Sequence, residues 1–159
     1  MTTTNDLAAL FRRDLQRLHQ QIDAFPNDEA LWQTLPGVTN AAGNLALHIE
    51  GNLREYIGSQ LGQRPYARNR QLEFSAKGIS RHDLLTRIAE LKQTIPAVIE
   101  QLSSEQLESE YPEVVLEVTT STQQLLIHLY GHMNWHLGQI DYLRRVLSGN
   151  GPIKQAGLR

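Results

Sequence analysis

Four stretches of this chain repeat apolar residues at steps of three and four, a period that suits an α-helix with one buried face. In the first, Leu7, Leu10, Phe11, Leu15, Leu18, Ile22 and Phe25 alternate with Arg12, Arg13, Asp14 and Gln16, which predicts an amphipathic helix over about residues 5–24. Pro26-Asn27-Asp28 ends it, and Asn40 supplies the N-cap of a second helix running to about Ser59. That helix turns Ala41, Leu45, Ile49, Leu53 and Tyr56 inward, places His48 and Asn52 at the margin of the stripe, and sets Glu50 and Arg54 opposite. Ser80 caps a third helix, whose apolar row is Leu84, Leu85, Ile88, Leu91, Ile95, Val98, Ile99 and Leu102 and which Pro96 is expected to bend. The fourth opens at Ser121, where Ser-Thr-Gln-Gln fits a capping box, and runs to about Leu147 before Gly149 and Gly151-Pro152.

The connections are uneven. Residues 60–79 carry no helical period and hold Arg64, Arg68, Arg70 and Lys77; a structureless loop of that length is uncommon unless it serves a site or is mobile. Residues 108–120, with Val114, Val115, Val118 and Thr119, predict extended chain or a small hairpin, but no sheet. The expected fold is therefore all-α: one domain over residues 1–159, built as a four-helix bundle with a short extended hairpin before the last helix. The long connections allow a topology other than simple up-and-down. A chain of 159 residues buries enough surface to need no staple, so a metal here would be functional first.

Composition narrows the chemistry. With no cysteine, disulfides, thiolate zinc sites, iron–sulfur clusters and thiol nucleophiles are excluded, leaving histidine, carboxylate or hydroxyl to do any work. A formal charge of −2 offers no basic field for a phosphate backbone, so no nucleic-acid partner is expected. Residues 118–140 lack Asp, Glu, Lys and Arg, yet they hold three histidines and three glutamines, which are costly in hydrocarbon; no membrane partner is expected either. The first eighteen positions include Asp6 and Asp14 and no continuous apolar run, which points to a cytoplasmic protein.

The informative residues are His128, His132 and His136, one helical turn apart along a single stripe at the edge of the buried face. Two imidazoles at that spacing can converge on one divalent ion at about 2.0–2.1 Å, and a third ligand must then come from another helix. His48 is the best placed, because His19 lies on a polar face and His82 in the first turn of the third helix. Three neutral imidazoles suit zinc, nickel, copper or iron, with zinc or nickel preferred, and leave a coordination position open. The plain alternative is that these histidines only finish the core.

The run His128-Leu-Tyr-Gly-His132-Met-Asn-Trp-His136-Leu-Gly-Gln139, followed by Ile140 and Leu143-Arg144, resembles the last-helix signature of the DinB-like (DinB/YfiT) superfamily of bacterial four-helix proteins. The stretch Leu45-Ala-Leu47-His48-Ile49 is similar to that family's second-helix histidine, and the likeness extends over nearly the whole chain. It implies that the metal ligands are His48, His132 and His136, with His128 beside the site or in the packing. Many members carry arginine where this chain has Leu137, a departure that bears on substrate contacts rather than on the metal.

The resemblance further implies one divalent ion, a homodimer, and a small-molecule substrate. Some members are similar to metal-dependent transferases or isomerases that use a low-molecular-weight thiol, so a thiol-dependent transferase or a hydrolase is the expected activity. A non-enzymatic metal-binding or stress-associated dimer is the alternative. No catalytic residue is assigned. Arg64, Arg68 and Arg70 are candidates to hold a carboxylate or phosphate, and Glu55 is a weaker candidate for the cavity wall. Gln139 or Asn52 is expected to fix the tautomer of a ligating imidazole, while Tyr130 and Trp135 are expected to pack or to form an interface.

Overall fold

The computed structural model describes residues 2–115 and 117–157; positions 1, 158 and 159 of the expected domain, and position 116 of the expected hairpin, lie outside them. Helix α1 (Thr3–Asp23) starts where the Thr2 side chain accepts the Asn5 amide, and most of its apolar row sinks, with Phe11, Leu15, Leu18 and Ile22 out of solvent and Leu10 half-buried. Burying each such side chain stabilises by about 1.5–3 kcal/mol. Asp14 is buried with them rather than facing solvent among its polar neighbours. Its carboxylate accepts from Arg13 at 2.7 and 2.8 Å, from Arg17 at 3.1 Å and from the Tyr130 hydroxyl at 2.7 Å, which answers its charge from two helices.

After a single turn, α2 (Asp28–Leu31), comes α3 (Ala42–Leu53), which continues as a π-helical segment over Arg54–Ser59 and so reaches the expected end. Its start differs from expectation: Ala41, not Asn40, holds the N-cap position, and no side chain caps it. The amphipathic reading of this helix also needs correction, because every residue of α3 is buried, Glu50 included. Glu50 accepts from Arg54 at 2.9 Å and from Arg87 at 3.4 Å, so its charge is paired as it leaves water.

The reason α3 has no solvent face lies in the stretch expected to be a loop. There the chain forms α4 (Arg70–Ser75), started by the Asn69 side chain on the Leu72 amide and packed against α3. Asn44 of α3 ties the two together, donating to the carbonyls of Glu73 at 3.0 Å and Ala76 at 2.9 Å. Helix α5 (Arg81–Glu100) begins at the expected Ser80 cap and runs unbroken through Pro96. A further short helix, α6 (Ser104–Glu108), has a reciprocal Ser103–Gln106 capping box. The expected extended segment follows as two isolated antiparallel pairings, Glu110 with Ser121 and Val115 with Val118.

Helix α7 (Thr122–Ser148) opens with Ser121 accepting the Gln124 amide, the first half of the expected box. It ends at Gly149, whose φ of 68° needs no Cβ in the way. The four long helices pack in a ring: α1 against α5 and α7, and α3 against the same two. Thus α1 and α3, successive long helices in the chain, sit diagonally across the bundle. This all-α bundle sets His48 on α3 opposite the histidines of α7. No helix of the described residues is long and apolar enough to cross a membrane.

Candidate metal centre

His48 projects from the buried α3, and His132 and His136 from the half-buried edge of α7, one turn apart. Their rings stand nearly perpendicular, at 74°, 85° and 87°, and their ligand nitrogens all fall within 4.8 Å of one another. His132 Nε2 is the middle atom, 3.1 Å from His48 Nε2 and 3.2 Å from His136 Nε2. Two imidazole nitrogens bound to one ion at about 2.0–2.1 Å, at tetrahedral to octahedral angles, are separated by about 2.8–3.4 Å. The two short separations fit that range.

The opposite edges of the rings decide which nitrogens are free. His48 Nδ1 donates to Glu73 Oε2 at 2.8 Å, and His136 Nδ1 donates to Gln139 Oε1 at 2.7 Å. In a neutral ring the proton on Nδ1 leaves Nε2 as a lone pair, so both outer rings aim lone pairs at His132 Nε2. A single N–H on His132 can answer one of them and never both. A cation where the three nitrogens meet answers all three, and the paired Nδ1 contacts are the kind that orient metal-ligating histidines.

The surroundings favour the neutral form of His132 and His48. Burial, then the neighbouring His136, His48 and His128, pushes His132 down to about 4. Burial also lowers His48, against the raising effect of Glu73. Glu73 feels burial pushing its pKa upward, but bonds from Arg68 and His48 outweigh it and keep the carboxyl below its ordinary value. Arg68 grips that carboxylate twice, at 2.7 and 3.0 Å, so Glu73 arrives at His48 as half of an ion pair. Phe74, next along α4, covers the His48 ring with centroids 4.8 Å apart.

The structure thus brings together His48, His132 and His136 and leaves His128 outside the cluster, exposed on the wall of the adjoining cavity. Of the residues expected to fix a tautomer, Gln139 does so for His136; Asn52 instead keeps its Oδ1 buried without a donor. Arg68 and Arg70 border the histidines, whereas Arg64 lines a separate cleft with Arg54, Tyr66 and Glu90. Leu137 is buried in the core and Trp135 is exposed, while Tyr130 serves the Asp14 network. Glu55 stands half-buried and outside the walls of the histidine cavity.

Glu73 and Phe74 were not legible as site residues. One sequence signal for them is Asn69, a cap residue at the right distance to start a helix within the supposed loop. Gly51, three residues after His48, is a second hint: a Cβ there would overlap the Glu73 carboxylate, so only glycine lets α4 come this close.

Comparison with known proteins agrees with this architecture. A family described as "Protein of unknown function (DUF1572)" matches residues 3–153. No curated protein matches the chain. Among solved structures, a conserved protein from Enterococcus faecalis superposes with a TM-score of 0.76 at 16% identity, covering 94% of this chain and 99% of that one. A DinB-like protein from Bacillus cereus ATCC 10987 superposes with a TM-score of 0.66 at 15% identity, covering 89% and 91% respectively. At these identities the likeness is one of fold.

Proposed function

On the premise that this chain belongs to the DUF1572 family, a DinB-like family, we propose that it binds one divalent metal ion through His48, His132 and His136 and acts on a small molecule. The observation that carries the reading is the meeting of three Nε2 atoms of which two are fixed as lone pairs by Glu73 and Gln139. Zinc or nickel is the preferred ion, since neutral imidazole suits both.

When bound, such an ion supplies Lewis acidity that brings the pKa of a coordinated water or thiol toward neutrality. The chain's own residues do the rest. His48, His132 and His136 would hold the ion with three protein ligands, which would leave a coordination position for water or a substrate. Glu73 and Gln139 hold two of the rings in the ligating orientation, and Arg68 holds Glu73. Thiol-dependent group transfer is the activity we favour, with hydrolysis second; in both the partner is a small molecule, in a cytoplasmic protein that engages neither nucleic acid nor membrane.

The homodimer implied by the family resemblance has a natural seat on α7. Ile127, Trp135, Tyr142 and Val146 form an exposed apolar row there, which association would take out of water. A non-enzymatic metal-binding dimer uses the same surface and the same histidines, and turnover separates the two readings. Protein reconstituted with zinc or nickel is expected to speed the loss of a low-molecular-weight thiol, such as bacillithiol or cysteine, in the presence of an electrophile such as chlorodinitrobenzene. The H132A variant is expected to show only the background rate. Metal-loaded protein no faster than buffer across thiols and hydrolysable esters points to the non-enzymatic reading.

A further inference from the structure

Beside the imidazoles lies a cavity of about 140 Å³ with His48 and His132 in its wall, so a molecule inside it faces the candidate metal centre. Its charged walls are Arg68 and Arg70, with no Asp or Glu among its lining residues. The Arg68 charge is already answered by Glu73. That of Arg70 is not: its guanidinium rests over the Phe74 ring at 5.4 Å and makes no ion pair or hydrogen bond among the described residues. On another wall Asn52 is only 8% exposed, yet its Oδ1 meets no donor. A buried acceptor left in this way is costly, and a ligand N–H or O–H removes that cost.

A second cavity, about 190 Å³ and almost wholly apolar, shares Val115 and His128 as walls with the first and continues along Val118 and Leu125. The two spaces therefore ask for three things in one molecule: an anion for Arg70, a donor for Asn52 and an apolar tail.

We infer that this double cavity is the binding site for a small amphipathic carboxylic acid with an N–H or O–H donor beside its carboxylate, of which N-acyl amino acids and 2-hydroxy acids with apolar side chains are the two chemical forms. As a substrate site it rests on the proposed metal chemistry, because the cavity opens on His48 and His132. As a binding site it depends on Arg70 and Asn52, neither of which is a metal ligand.

The test is a calorimetric or ligand-detected NMR titration of metal-free and zinc-loaded protein with N-acetylleucine. Comparison ligands are N-acetylleucinamide, which lacks the anion, 4-methylpentanoate, which lacks the donor, and inorganic phosphate. Binding of N-acetylleucine is expected to be at least tenfold tighter than that of any of the three. R70Q is expected to abolish its advantage over the amide, and N52L its advantage over 4-methylpentanoate. Arg70 is exposed, so R70Q tests the assignment even if N52L fails to fold. Equal binding of acid and amide, phosphate binding as tight as the acid, no binding at all, or indifference to R70Q overturns the inference. A zinc titration of the same wild-type protein distinguishes the two failures: a chain that takes the acid but no zinc keeps this site and loses the metal reading, and a chain that takes zinc but no acid does the reverse.

Discussion

Glu73 is the residue on which the candidate centre most depends after the histidines themselves. It lies on a different helix from each of them, and three groups position it: the Arg68 guanidinium, the Asn44 amide under its carbonyl, and the absent side chain of Gly51. Its own task is to hold the proton on His48 Nδ1 so that Nε2 is free. Outer contacts of this kind typically change metal affinity by about 10–100-fold when lost. E73A is therefore expected to weaken zinc or nickel binding by that factor in competition with a chromophoric chelator, and E73Q, which keeps an acceptor, by less. Unchanged affinity in E73A would remove Glu73 from the site. The histidines were legible because their spacing alone puts them on one stripe, and His48 because few other histidines had a suitable face. Glu73 was not, because its partner is chosen by tertiary contact and a carboxylate in a polar, arginine-containing stretch looks like any solvated charge.

At the level of elements, long rows of apolar residues fixed α1, α3, α5 and α7 to within a few positions, since a period needs several turns to declare itself. The short helices escaped for the same reason. α4 and α6 run for 6 and 5 residues, too few to express a period, and only their caps, Asn69 and Ser103, announce them. Missing α4 then produced the mistaken outer face of α3, because a helix covered on both sides carries buried charge, here Glu50 with Arg54 and Arg87. Asp14 on α1 is the parallel case: its partner Tyr130 belongs to α7, and no local pattern marks the pair.

For the whole molecule, the ring order of the bundle follows from the long connections, which let α1 and α3 lie diagonally and so bring α3 and α7 side by side. That adjacency is what unites His48 with His132 and His136. It also gives the metal-free protein a two-step pH dependence. His132, ordinarily near 6.5 and here lowered to about 4 by burial and its histidine neighbours, binds fewer protons folded than unfolded between those values. Stability is then fully present above about 6.5 and falls as pH drops toward 4. Asp14, held below its ordinary 3.8 by Arg13 and Tyr130 against the opposing effect of burial, adds a second loss as pH falls further, through its lowered pKa. Urea denaturation of the metal-free chain across pH 3–8 is expected to show both, with the upper step smaller in H132A and its remainder carried by His48, whose pKa burial also lowers. D14A is expected to shrink the lower one, which Asp14 shares with Glu73, and to cost about 1.5–3 kcal/mol at neutral pH, the usual worth of hydrogen bonds to a buried charge. A flat profile between 6.5 and 4 would contradict the neutral, buried state of His132.

The central claim is that three imidazoles on two helices hold one ion, and metal content tests it most directly. Elemental analysis of protein purified without a histidine tag and reconstituted with zinc or nickel is expected to give about one ion per chain, from the single three-histidine cluster among the described residues. H48A and H132A are expected to lose it and H128A to keep it. Metal-free wild-type protein after reconstitution, or equal metal content in all three variants, would contradict the account.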